Sequence, residues 1–246
     1  MTGRLLESLE RFLLPNACVV CERAAPPHDP DRLVCDLCRT RLRALPAGCA
    51  RCRQPLPPVG PCRFCRDWPG VLATARSAVW LHDEARTIVH HLKYDGLARV
   101  AGDVAHIMAR HSPRPAGGVL MPVPLAPRRR RARGFNQAAA IAAALGHEWE
   151  LAVDETTLTR RRETGTQTAL GPSQRLDNMA GAFAARPPAP RAGAPDAHRP
   201  PVILVDDVLT TGATLVACAT ALGEAGWSRV DAVTFARALP YELRVV

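Results

Sequence analysis

The sequence predicts an α/β protein, a parallel sheet flanked by helices and preceded by a small cysteine-rich module. Three observations predict it. Eight of the nine cysteines crowd into residues 18–65 as four Cys-x-x-Cys pairs, and from residue 71 onward apolar runs alternate with helical patterns. One run, VILVDD at 202–207, is continuously hydrophobic until two acids end it. Such a run suits a strand buried on both faces of a parallel sheet, and alternating strands and helices imply right-handed crossovers.

Taken in order, MTGRLLESLERFLL has leucines at helical spacing and stops at Pro15, a short amphipathic helix too charged for a signal peptide or membrane span. Residues 16–68 are rich in Cys, Pro and Arg without an apolar period, so they cannot build a conventional core. SAVWLHDEARTIVHHLKY then reads as a strand and an amphipathic helix, residues 97–111 as a second helix, and GGVLMPVPL as a strand. Residues 136–145 are Ala-rich and helical, and 150–158 suit a short strand. Polar residues 160–178 read as a mobile loop, and AARPPAPRAGAPDAHRPP at 184–201 as an extended surface connection. A helix over 214–226 and the strand VDAVTFARAL complete the pattern, so the chain divides into units 1–70 and 71–246.

With 246 residues and 47% hydrophobic content, one mid-sized core plus a small module is expected. The net charge of +9 favours an anionic partner: nucleic acid, a polyphosphate substrate or an acidic protein. Of 32 basic residues only Lys93 is a lysine. A lysine kept where arginine is otherwise used suggests a need for a compact, strongly hydrated ammonium.

Each half of the cysteine region offers four thiolates on two tight turns: Cys18, Cys21, Cys35 and Cys38, then Cys49, Cys52, Cys62 and Cys65. This is tetrahedral sulfur ligation for structural Zn2+, two ions in all, with no open position for a substrate. Disulfides are disfavoured because the expected compartment is the reducing cytoplasm, and iron–sulfur ligation because the ferredoxin run is missing. Pairing within each half is the simpler arrangement, and an interleaved one stays open. Cys218, alone in a helix, reads as a small buried hydrophobe.

The second motif follows VILV. Asp206 and Asp207 end a strand where open α/β sheets place ligands, and the loop of Thr210, Thr211, Gly212, Ala213 and Thr214 opens a helix. Hydroxyls and backbone amides there cradle a phosphate monoester, and the paired acids suit the vicinal hydroxyls of a ribose. A polar turn capped by threonines leaves the paired acids unexplained.

At this point VILVDDVLTTGATL resembles the diphosphoribosyl-binding motif of type I phosphoribosyltransferases. MPVPLAPRRRRARGFNQ, IVHHLKYDG and TRRRETGTQTALGPSQRLDNMAGAF extend the likeness to the ComF family, in which such a domain follows an amino-terminal double zinc ribbon. The resemblance covers nearly the whole chain. It implies that Asp206 and Asp207 hold the ribose hydroxyls and indirectly order Mg2+, that residues 210–214 wrap the 5-phosphate, and that the pyrophosphate meets residues 124–133. Arg128, Arg131 and Arg133 in that run suit the leaving phosphates, and equally a solvated face or a docking patch for nucleic acid; Lys93 is a further candidate for a phosphate contact, although its helical setting alone suggests a surface position. Arg160, Arg162, Gln167 and Arg175, with Thr164 and Asn178, match the family's mobile catalytic segment; the chain departs from the family pattern at Gly165 and Thr166, where prolines are frequent.

The implied ligand is 5-phosphoribosyl-1-pyrophosphate with Mg2+, and the implied reaction a pentosyl transfer driven by positioning and electrostatics. The family resemblance also implies a role in DNA uptake during natural transformation. Two alternatives stand beside it: a non-catalytic factor binding single-stranded DNA or a DNA-uptake helicase, and a salvage enzyme unrelated to DNA. Aromatic residues make up only 4% of the chain, which argues against a long stacking platform; Phe64 and Trp68 are the few candidates.

Overall fold

The structure, a computed structural model, describes residues 17–24, 32–56, 60–94, 97–163, 179–188 and 200–238. Among the described residues seven strands are formed: β1 (Leu72–Trp80), β2 (Val119–Pro122), β3 (Ala152–Val153), β4 (Leu158–Arg160), β5 (Phe183–Ala185), β6 (Val202–Leu209) and β7 (Val230–Arg237). The helices are α1 (Asp36–Thr40), α2 (Asp83–Tyr94), α3 (Val100–His111), α4 (Pro127–Arg133), α5 (Gln137–Trp149) and α6 (Ala213–Glu224). Five strands pair in the order β1-β7-β6-β2-β3, every pair parallel, and β4 with β5 forms a separate antiparallel pair. The α/β architecture is as the sequence predicts, with the cysteine-rich region at its amino-terminal side.

The continuous apolar run of β6 is explained by its place between β7 and β2. Side chains alternate across a strand, so Val202 and Leu204 join the core with α6, while Ile203 and Val205 join the core with α2, α3 and α5. The cysteine turns take part in both cores: Cys18 and Cys38 in the second of these, and Cys49, Cys52, Cys62 and Cys65 in the α6 core. Their connecting segment also covers the outer edge of β1. Trp80 N donates to Arg43 O at 2.8 Å, Ala75 N donates to Arg51 O at 2.9 Å, and Ala44 forms an antiparallel bridge with Val79.

Some boundaries differ from the sequence reading, each for a local reason. The strand expected over 150–158 is split into β3 and β4, because Asp154 Oδ1 accepts from Thr156 N at 2.7 Å and Thr157 N at 3.0 Å and turns the chain between them. Glu150, in the left-handed region at φ 53°, ends α5 before it. Pairing with β4 draws Ala184 and Ala185 into β5, so they are strand rather than the start of the proline-rich connection. The arginine run forms the short helix α4, with Pro127 at its start and Gly134 at φ 79° ending it. The expected helix at 1–14, most of the polar loop and most of the proline-rich connection lie outside the described residues.

Candidate functional site

β6 runs past its two acids to Leu209, held by β7 through the pairs Asp206–Thr234 and Leu209–Arg237. The acids therefore lie within its carboxyl-terminal half. Asp207 is buried and its Oδ2 lies 2.8 Å from Lys93 Nζ, at the end of α2. Asp206 Oδ1 accepts from Asp207 N at 2.8 Å. Burial, and then the neighbouring Asp207 carboxylate, push the Asp206 carboxyl up to about 7, with Lys93 opposing the shift. Lys93, for which the helical setting alone suggested a surface position, is thus the counter-charge of the paired acids.

The loop after β6 turns at Gly212, whose φ of 83° favours glycine, and leads directly into α6. Thr210 is exposed, Thr211 and Thr214 are half-buried, and Thr211 Oγ1 accepts from Ala213 N at 3.4 Å. Burial and then Arg129 lower the pKa of Arg160, at the end of β4, while the Asp206 and Glu163 carboxylates raise it. Arg160 also lies over the Phe183 ring at 5.2 Å. The structure so gathers Lys93, Asp206, Asp207 and Arg160 in one electrostatic neighbourhood beside the threonine loop.

The remaining residues spread outward. Arg128 and Arg131 are exposed on α4, where Arg128 N donates to Glu163 Oε1 at 2.9 Å, and Arg133 sits 5.4 Å from the ring of Tyr94. Arg162 Nη2 donates to Ala180 O at 2.9 Å. Gln167 and Arg175 lie outside the described residues. Sequence reasoning passed over Arg129, although it stands between two arginines it selected. It also passed over Tyr94, an exposed aromatic next to the single lysine. Trp68 is buried against Gly212 and does not offer a stacking face, contrary to the expectation for the ribbon aromatics.

The eight cysteines form two sets, Cys18, Cys21, Cys35, Cys38 and Cys49, Cys52, Cys62, Cys65, with the ligand atoms of each within 4.8 Å of one another. Pairing within each half is the arrangement found. Sulfur separations of 3.6 Å (Cys49–Cys65, Cys52–Cys62) and 3.7 Å (Cys21–Cys35) are far longer than a disulfide bond of about 2.05 Å. They match the edge of about 3.8 Å in a sulfur tetrahedron with metal–sulfur bonds near 2.3 Å. Burial raises the thiol pKa of Cys18 and Cys49, yet backbone amides of each turn outweigh it and bring both down to about 7. Beside the second set stands Arg237, wholly buried, whose Nη1 donates to Cys52 O at 2.9 Å while Nε and Nη2 find no hydrogen-bond partner among the described residues. Its charge suits an anionic zinc–thiolate centre; the residues present fit two structural Zn2+ ions.

The chain is 31% identical over 214 residues to "DNA utilization protein YhgH" of Salmonella typhi, a match covering 84% of this chain and 91% of that protein. The chain belongs to the ComF family. The same-named ComF relative of Escherichia coli (strain K12) is 29% identical over 229 residues, 90% of either chain. "Competence protein ComFC" of Bacillus subtilis (strain 168) is 26% identical over 211 residues, 80% of either chain. No protein-family model matches the chain. Among the described residues, no helix is long and apolar enough to cross a membrane.

Proposed function

We propose that this ComF-family chain binds 5-phosphoribosyl-1-pyrophosphate with Mg2+ at the carboxyl end of β6 and serves DNA utilization in natural transformation. The observation that carries the ligand is the ion pair of Lys93 with Asp207, beside Asp206 and shortly before the loop 210–214, with the Arg160 and Asp206 charges acting on one another. The DNA role rests on the relatives named for DNA utilization and competence. The carboxylates hold the ribose hydroxyls, the threonine hydroxyls and α6 amides hold the 5-phosphate, and Lys93 with Arg128, Arg131 and Arg133 neutralises pyrophosphate. Mg2+, when bound with the sugar, would supply further neutralisation of the leaving group.

In a transfer, the bond between ribose C1 and pyrophosphate breaks with its electron pair leaving on pyrophosphate, as a nitrogen of the acceptor bonds to C1 and passes its proton to the departing pyrophosphate. Arg160 and Arg162, together with Gln167 and Arg175, act as the closing segment that excludes water. Units 1–70 and 71–246 divide the work, the first holding zinc and the second the sugar. Calorimetric titration with the diphosphate sugar and Mg2+ tests this reading. The native chain binds, and Asp206→Asn with Asp207→Asn weakens binding about a hundredfold or more through loss of charge-assisted contacts. Equal binding by both, or none by the native chain, overturns it.

A second reading, a non-catalytic factor for single-stranded DNA, is favoured by the exposed arginines of α4 beside exposed Tyr94.

A further inference from the structure

The second cysteine knuckle is built onto the loop that the proposed function assigns to the 5-phosphate. A Cβ added at Gly212 would stand 3.2 Å from the Trp68 ring, so backbone and indole are in close contact. Trp68 N donates to Cys65 O at 3.2 Å, which places the indole one turn beyond a metal ligand. Arg51, between Cys49 and Cys52, lies 5.6 Å from the same ring and donates to the carbonyls of Cys65, Trp68, Pro69 and Leu72. Arg237 reaches the knuckle from the other side. It pairs with Leu209, the last residue of β6, donates to Cys52 O and lies 4.0 Å from the Phe64 ring, which meets Trp68 edge-on at 5.6 Å. The hinge glycine therefore rests on Trp68, and the start of the loop is paired through the backbone with Arg237, whose side chain reaches the second metal site.

We propose that Trp68 is the positioning residue of loop 210–214, so that metal occupancy of Cys49, Cys52, Cys62 and Cys65 sets the loop's affinity for a phosphate monoester. The affinity part rests on the ligand reading above; the positioning part does not. The first knuckle provides the contrast, because Asp103 ties it to α3 in the opposite core.

Amide hydrogen exchange on the unliganded full chain, with zinc content measured alongside, separates the two. Trp68→Ala should keep two zinc ions and speed exchange over 210–216 about tenfold or more, while Trp68→Phe restores protection. Cys65→Ser should speed the same amides and Cys21→Ser should leave them slow. Titration of Trp68→Ala with 5-phosphoribosyl-1-pyrophosphate and Mg2+ should then show affinity about ten- to a hundredfold weaker, as expected of a displaced binding loop. Unchanged exchange in Trp68→Ala, or equal acceleration by Cys65→Ser and Cys21→Ser, overturns the proposal. A native chain that fails to bind the sugar removes the ligand reading alone, since exchange still decides the positioning.

Discussion

The two knuckles carry the same ligand set and differ in what they rest on. The first closes over α3, where the buried Asp103 carboxylate pairs with Arg39 and accepts from Leu33 N at 2.8 Å. The second closes over the end of β7 and the turn after β6, with Arg237 and Trp68 between the sulfurs and the sheet. One knuckle is fastened by a carboxylate and the other by a guanidinium, so their neighbours carry opposite charge. A repeated motif thus acquires distinct mechanical partners from where the chain delivers each copy.

The comparison breaks most readily at Arg237. Replacing it by Met leaves the second thiolate group without its buried counter-charge and should cost about 3–5 kcal/mol, the range for breaking a buried ion pair. Denaturant unfolding and metal analysis should show zinc lost from the second set before the first. Equal loss from both would erase the distinction.

Asp103→Asn is the matching change at the first knuckle. It keeps an acceptor for Leu33 N but removes the charge opposite Arg39, a side chain only 12% exposed, and should cost about 1–3 kcal/mol. Binding of the diphosphate sugar should be unaltered, and a weakened affinity would mean that both knuckles reach the loop.

The smallest effect is a pH dependence confined to the site. Asp206 has its carboxyl raised from the ordinary 3.8 to about 7, so between those values the folded chain holds a proton that the unfolded chain has released. Stability from this group is therefore complete below about pH 4 and declines as pH rises to 7. Ligand that needs the ionised carboxylate should bind more tightly as pH rises from 6 to 8, and Asp206→Asn should flatten both trends. Calorimetry across that interval checks the sign; tighter binding at pH 6 would contradict it.

The sequence made the threonine loop and both cysteine sets readable because their residues are neighbours in the chain and their spacing is itself the chemistry. Lys93 was selected as the single lysine, yet its ion pair with Asp207 joins positions far apart in the chain, and only the fold brings the end of α2 to that carboxylate. The contact of Trp68 with Gly212 had no local signal at all: a tryptophan after a cysteine turn is equally readable as a stacking face. Helix α4 was legible in hindsight from Pro127 and Gly134, whereas the turn at Asp154 interrupted a pattern that periodicity alone read as one strand.

The covering of β1 by residues 43–51 has a consequence for the chain's behaviour in company. An outer strand with free amides and carbonyls is a template for another molecule's strand, and here Arg43 and Ala44, between the two metal sites, and Arg51, within the second, occupy part of it. Stripping the metal frees those residues and uncovers a nine-residue edge, so the first sign of zinc loss should be oligomers growing strand to strand.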